Sequence, residues 1–458
     1  MRIVIVGGGV VGHALAEQLL NDKHRLSLVE LDNELSNTIA EKLDLQVVSG
    51  SGSSPSILLE AGINGADMLL AVTPSNEVNI IACVIAEQYG VEQRIARLRG
   101  EEFAGEKNLV DLKKIGITAV IHPEKVLADQ VLQFVETPHS VQSANFENGQ
   151  ILMRGYRLTE NMPLAGKTPR EIRESIHPHK ILFSAIVRNK EGMIPDGETV
   201  LQPGDILYSL FPRESLERYL SLIGYEKKNR KVIITGDSYS TLELAAFLDK
   251  NENFSVTLID PNREHAEKAA AMFDNIEVLH GDCTEDGLLR EINVTNTSFF
   301  IAISDSPDYN MLSALLAKAE GVHEVVATTT DTSHNKLYAS IGIDHVINPR
   351  LTTAREILEM ISRGHIGAVV KLTDVDIEAV RFLVDSDSDV AGMQVKNIAT
   401  KMQKGSMIGV IIRDDKMILP EGETTIEAED HVIVITHHRN LHTMSKLFRP
   451  RKFFKRGN

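Results

Sequence analysis

Apolar residues in the first 120 positions cluster in short runs rich in Val, Ile and Leu, separated by longer stretches where they recur at helical spacing. The runs are Arg2–Val6, Leu26–Glu30, Leu45–Val48, Met68–Val72, Arg94–Leu98 and Ala119–Ile121, with helical stretches such as Val10–Leu20 and Glu77–Tyr89 between them. Strands this apolar are buried on both faces, and their alternation with helices marks βαβ units. The pattern therefore predicts a doubly wound parallel sheet of six strands with five intervening helices. After Pro138 the texture changes to short β-like runs broken by turn signals: Ile181–Val187, the Pro195-Asp196-Gly197 turn, and Pro203-Gly204-Asp205 ahead of Ile206–Leu210. These predict a small α+β module of about 80 residues.

The same order then repeats. Ala71-Val72-Thr73-Pro74-Ser75-Asn76-Glu77-Val78-Asn79 is echoed by Ala302-Ile303-Ser304-Asp305-Ser306-Pro307-Asp308-Tyr309-Asn310, Ile121-His122-Pro123 by Ile347-Asn348-Pro349, and Pro195-Asp196-Gly197-Glu198-Thr199 by Pro420-Glu421-Gly422-Glu423-Thr424. Three separated anchors at nearly one offset make the chain two copies of one unit. The fold class is α/β, with two Rossmann-like sheets, each followed by a small α+β domain. The expected domains are residues 1–137, 140–225, 230–362 and 366–448, with a charged linker near Glu226–Arg230 and a basic tail at 449–458.

In sequence terms, Gly7-Gly8-Gly9-Val10-Val11-Gly12 falls between the first strand and the first helix. In a G-x-G-x-x-G turn the first glycine permits the tight bend, the second lets backbone approach a diphosphate, and the third lets helix and strand pack closely. The helix that starts there aims unpaired N–H groups and its positive end at the anion. Glu30 closes strand two and can accept hydrogen bonds from a ribose diol, with Asp32 as a competitor for that role. A carboxylate there disfavours a 2′-phosphate, so NAD(H) is expected over NADP(H). Gly50 and Ser51 after strand three, Thr73 after strand four, and Arg97 and Arg99 on strand five lie at carboxyl ends of strands, where ligands of open sheets bind. The two arginines are read either as phosphate ligands or as surface ion pairs.

Copy two departs at this point. Its loop reads Gly236-Asp237-Ser238-Tyr239-Ser240-Thr241, so two of the three glycines are lost and Asp237 brings negative charge to the diphosphate position. Asp260 still matches Glu30, and Gly281-Asp282 matches Gly50-Ser51. Copy two is expected to be architectural, with nucleotide binding weakened, altered or lost.

Composition narrows the functional classes. A chain of 458 residues with 48 Lys+Arg against 64 Asp+Glu carries −16, which repels phosphate backbones and argues against a nucleic-acid partner. Two cysteines, Cys83 and Cys283, exclude a disulfide framework and fit a reducing compartment. No apolar run reaches the ~18 residues a spanning helix needs. His438 and His442 stand four apart without a third metal ligand, and His177 and His179 flank Pro178 without a clear message. The tail from Lys446 carries six basic and three Phe residues and no acid, a composition suited to a solvated end or to an anionic surface. The modules hold no dense acid/base or nucleophile set, so an NAD-dependent oxidoreductase of unknown small substrate is the alternative reading, and no catalytic or metal residue is expected.

The residues Ile5 to Gly12, the acid strand Leu28-Val29-Glu30-Leu31-Asp32, Ala66-Asp67, Ala71-Val72-Thr73 with Asn79, Arg94-Ile95-Ala96-Arg97, and Ile121-His122-Pro123-Glu124 resemble those of the bacterial KTN/RCK family. The patterns Pro195 to Asp205 and Pro420 to Asp430 are similar to its RCK C-terminal domain. The resemblance implies tandem RCK N-terminal and RCK C-terminal domains in a nucleotide-sensing regulatory subunit that is not an enzyme. It also implies a cytoplasmic protein, peripheral on the inner membrane, assembled as a homo-oligomeric ring. Such a ring would gate the Trk-type membrane potassium-translocating subunit. NAD(H) is the favoured ligand, with ATP or ADP possible at the same site. Many relatives carry an acid where this chain has Ser51, and some keep two intact loops where this chain has the altered Gly236 loop.

Overall fold

The computed structural model describes residues 1–103, 110–225, 230–285, 287–330, 338, 340–362, 366–373, 375–414 and 416–448. The linker residues 226–229 and the basic tail from 449 lie outside the described residues. The two sheet copies form one compact unit and the two small modules another.

In copy one of the sheet unit, β1 (Arg2–Val6), β2 (Arg25–Glu30), β3 (Gln46–Ser49), β4 (Met68–Ala71), β5 (Gln93–Arg97) and β6 (Ala119–Ile121) alternate with α1 (Val10–Asn21), α2 (Asn33–Lys42), α3 (Pro55–Glu60) and α4 (Asn76–Gln88). α5 (Pro123–Glu136) follows β6. The strand order is β3-β2-β1-β4-β5-β6, all parallel. The order reverses between β1 and β4, so the crossover leaving β1 and the crossover leaving β4 go to opposite faces and open a crevice at the carboxyl ends. Ile3, Val4, Ile5 and Val6 are all buried because helices cover both faces. Local chemistry sets the helix starts: the Asp32 carboxylate accepts from Glu34 N and Leu35 N, and the Ser75 hydroxyl accepts from Val78 N. Among the described residues, the link from β5 to β6 holds a 3₁₀ turn, Glu101–Phe103, where a fifth helix was expected.

Copy two repeats the plan with β12 (Arg230–Thr235), α8 (Tyr239–Asp249), β13 (Phe254–Asp260), α9 (Arg263–Met272), β14 (Glu277–His280), α10 (Leu288–Glu291), β15 (Phe299–Ala302), α11 (Pro307–Ala319), β16 (Glu324–Thr328), β17 (His345–Ile347) and α12 (Pro349–Ser362). Its sheet order, β14-β13-β12-β15-β16-β17, is the same. α5 and α12 touch across the copies through a hydrogen bond from the Thr352 hydroxyl to Gln130 Oε1.

The module unit holds two antiparallel five-stranded sheets. The first comprises β7 (Gln142–Phe146), β8 (Ile151–Arg157), β9 (Leu182–Arg188), β10 (Glu191–Met193) and β11 (Ile206–Pro212), in order β10-β9-β11-β8-β7, with α6 (Pro169–Ile176) and α7 (Leu216–Leu222). The second comprises β18 (Ile366–Lys371), β19 (Ile377–Leu383), β20 (Ser406–Arg413), β21 (Lys416–Ile418) and β22 (His431–His437), in order β18-β19-β22-β20-β21, with α13 (Val395–Ala399) and α14 (Leu441–Phe448). One apolar core joins the modules: Met153, Val187, Tyr208 and Leu210 of the first pack with Ile377, Val410, Ile433 and Ile435 of the second. The repeated Pro-x-Gly-Glu-Thr…Asp motif acquires a structural reason here. Asp205 and Asp430, each about 1% exposed, take both arms of Arg188 and Arg413 at 2.7–2.8 Å. Each pair anchors the turn to the neighbouring strand.

At the seam between modules, Glu147 accepts from Arg381 at 2.6 Å and pairs with His431 at 2.8 Å. Burial alone would raise the Glu147 carboxyl, but these two partners outweigh it and bring it down to about 2.

Candidate functional site: a cleft shared by the two sheet copies

β1 ends at Val6, and the chain turns at Gly7 with φ of +104°, a conformation that favours glycine. A Cβ on Gly7 would also press within 3.1 Å of Thr73. α1 begins after Gly9, whose backbone is extended and which offers no side-chain cap. The first intrahelical bond is His13 N to Gly9 O, so the N–H groups of Val10, Val11 and Gly12 precede the ladder. The two remaining glycines serve different purposes. A Cβ on Gly12 would lie 1.8 Å from the Gly7 carbonyl oxygen, so that position is fixed by packing, whereas a Cβ on Gly9 meets nothing within 4 Å because it faces open cleft.

Glu30, at the end of β2, accepts from Gly8 N at 2.5 Å and from Asp32 N at 3.0 Å. Its carboxylate therefore sits beside the loop, while Asp32 is engaged as the cap of α2. Gly50 follows β3 with φ of +154°, and Gly52 lies so close to β1 that a Cβ would meet Val6 at 2.1 Å. The Ser51 hydroxyl bonds that of Ser53 at 2.8 Å. Thr73 is held by Asn79, fully buried on α4. The Asn79 side chain accepts from Thr73 N and Oγ1 and donates to Thr73 O and Arg97 O, at 2.7–3.0 Å. Asn79 thus fixes the ends of β4 and β5 together. Its counterpart Asn310 does the same for Ser304 and Thr328. The sequence marked Asn79 as part of the repeat, and its positioning role emerges only in the fold.

Together these residues line a cleft of about 910 Å³ bordered by both copies. Copy one contributes Gly7, Gly9, Val10, Val11, Glu30, Gly50, Ser51, Thr73, Arg97, Arg99 and Glu124; copy two contributes its loop Asp237–Ser240, the rim at Ser304, Asp305 and Thr328–Thr330, and Arg350. Gly8 and Gly12 stand behind this lining. Arg99 pairs with Glu124 at 2.9 Å, whereas Arg97 keeps a buried Nε–H with no hydrogen-bond partner. Burial lowers the Arg97 pKa, and the guanidinium groups of Arg99 and Arg350 add to that against the opposing pull of Glu124.

Copy two closes its own loop. The Ser238 and Thr241 hydroxyls donate to Ile303 O at 3.2 and 3.0 Å, and Tyr309 lies 2.7 Å from Thr235 while accepting from Cys283 N at 3.4 Å. The copy-one counterparts of Thr235, Cys283 and Tyr309 are Val6, Gly52 and Val78, all of which line the cleft. Side chains of copy two thus bond one another where copy one leaves room. Asp260 bonds Asn262 N at 2.7 Å, and its burial, reinforced by nearby Asp237, raises its carboxyl above the ordinary value. The site residue expected in copy two therefore stands apart from the shared cleft's lining.

Comparison with known proteins agrees with this architecture. The TrkA-N domain matches residues 3–123 and again 232–349, and the TrkA-C domain matches 153–224 and 379–449. The Trk system potassium uptake protein TrkA of Vibrio alginolyticus is 30% identical over 461 residues, covering 99% of this chain and 100% of that protein. The protein of the same name from Azorhizobium caulinodans is 29% identical over 454 residues, covering 98% and 99%. Among solved structures, the GsuK channel bound to NAD superposes with a TM-score of 0.61 at 18% identity, covering 98% of this chain and 78% of that one. The GsuK RCK domain gives 0.59 at 20% identity, covering 98% and 94%. With both domain models matched twice, in alternation, the chain belongs to the TrkA family of TrkA-N and TrkA-C domain proteins.

Proposed function

We propose that this chain is the nucleotide-sensing regulatory subunit of a Trk-type potassium uptake system and gates the membrane potassium-translocating subunit from the cytoplasmic face. The observation that carries this reading is the shared cleft: the Gly7–Gly12 loop of copy one opens into a space whose far wall is copy two. A ligand there touches both copies and so stabilises one packing of the pair over another. A ligand shifts such an equilibrium only by its difference in affinity for the two states, about 1.4 kcal/mol for each tenfold. Repetition around a homo-oligomeric ring adds these contributions.

The grip on the ligand would come from the free N–H groups of Val10, Val11 and Gly12, the close approach at Gly9, and Glu30 on a ribose. Gly50, Ser51, Thr73 and Arg97 border it. NAD(H) is the favoured occupant, with ATP or ADP at the same loop. The site binds rather than turns over its ligand, consistent with relatives named for potassium uptake. Copy two, internally bonded, serves as wall and lever. Titration calorimetry of the full chain with NADH, NAD, ATP and ADP tests the reading: one occupied loop per chain is expected, abolished by Gly9→Asp. Absence of binding by all four would overturn it.

A further inference from the structure

Glu124 and Arg350 hold the same place in the two copies, one residue beyond the proline that opens α5 and α12, yet carry opposite charges. Both line the shared cleft. Glu124 is answered within copy one by Arg99. In copy two the position of Arg99 is taken by Thr330, and among the described residues Arg350 makes no ion pair. Arg350 nonetheless faces a charge: it is near enough to Arg97 for the two to oppose each other. Arg97 in turn keeps its buried, unpartnered Nε–H. Asp237 and Asp305, the cleft's copy-two acids, belong to that copy's own loop and rim. Three guanidinium groups from two copies thus share one cleft with four carboxylates: Glu124 is paired with Arg99, Glu30 is held by the amides of Gly8 and Asp32, and Asp237 and Asp305 lie on the copy-two loop and rim. Guanidinium groups gathered this way are suited to phosphate oxygens, which they bind through paired N–H donors.

We propose that Arg350, a residue of copy two, is a ligand-binding residue of the copy-one site. With Arg97 and Arg99 it takes an anionic group extending past the diphosphate, as in a nucleoside triphosphate. The inference rests on the reading of Gly7–Gly12 as the diphosphate loop. Its consequence is discrimination: ADP ends at the loop, whereas the last phosphate of ATP bridges to copy two.

The test is calorimetry of the full chain with ATP and ADP for wild type, Arg350→Gln and Arg350→Lys. Arg350 is exposed, so neither variant removes core packing. Arg350→Gln is expected to weaken ATP by about tenfold or more and ADP by less than about threefold, with Arg350→Lys recovering part of the loss. Equal weakening of both nucleotides, or no change in either while wild type binds both, overturns the role of Arg350 and leaves the loop assignment standing. Failure of wild type to bind either nucleotide overturns the inference, and failure with NADH and NAD as well overturns the loop assignment.

Discussion

Gly9 and Gly12 stand three residues apart in one motif, and the structure separates what each does. A methyl on Gly12 would sit 1.8 Å from the Gly7 carbonyl oxygen, so α1 must withdraw from β1 by more than an ångström. Over-packing of that kind costs about 1–3 kcal/mol. Gly9 has an extended backbone and open space at Cβ, so Gly9→Ala and Gly9→Asp are expected to fold with unchanged stability. Their effect falls on the ligand. A carboxylate at about 5 Å from one phosphate charge is repelled by about 3 kcal/mol at an effective dielectric of about 20. Water and salt in an open cleft reduce this to about 1.5–2 kcal/mol, a loss of at least about tenfold in affinity. Thermal melting and nucleotide titration of Gly9→Ala, Gly9→Asp and Gly12→Ala form the assay. The expected order is unchanged melting with graded loss of binding for the two Gly9 variants, and lowered melting for Gly12→Ala. A Gly9→Asp protein that melts as wild type and binds nucleotide as tightly would refute the reasoning.

Four further outcomes follow from the same geometry. Glu30 should select against a 2′-phosphate, so NADH is expected to bind at least about tenfold more tightly than NADPH, with Glu30→Gln narrowing the gap in competition titrations. Glu147, held down to about 2, stabilises the paired modules fully above the ordinary carboxylate range and loses that contribution as pH falls from about 5 toward 2. Acid unfolding of Glu147→Gln, followed by hydrogen exchange in β19 and β22, should be less steep across that window than in wild type. Replacing Asp430 by Ala leaves Arg413 without its buried carboxylate partner, and a loss of about 3 kcal/mol is expected in denaturant melts of the module unit. Burial pushes the Cys83 thiol up to about 12 and Cys283 up to about 11, so neither should react with iodoacetamide at pH 8 until the protein unfolds.

Much of the sheet unit was legible in the sequence because its signals are local. Runs such as Ile3–Val6 and Met68–Ala71 are apolar on both faces, which only a covered parallel sheet accommodates, and the glycine loop with Glu30 lies within a single βαβ unit. The modules were less legible. β7, Gln142–Phe146, gives only Ala144 and Phe146 to the core, too short an alternation to mark a strand, and that core is shared with residues more than 200 positions away. Asp32 stood in the sequence as a competitor to Glu30 for the ribose, and the fold shows its carboxylate engaged in capping α2. Tyr309 stands in the repeated segment opposite Val78 of copy one. Its hydroxyl acquires meaning only beside Thr235 and Cys283, from two other crossovers. The opposite charges of Glu124 and Arg350 were present in the repeat alignment, but their convergence on one cleft is a product of how the copies pack.

The central claim is that nucleotide at the copy-one loop controls potassium movement through the membrane subunit. It is tested most directly by potassium flux into proteoliposomes holding that subunit, with wild-type or Gly9→Asp protein added at the cytoplasmic face and nucleotide varied. Nucleotide-dependent flux with wild type and nucleotide-independent flux with Gly9→Asp is the predicted result. Flux that responds to nucleotide equally with both, while Gly9→Asp binds none, would contradict the account.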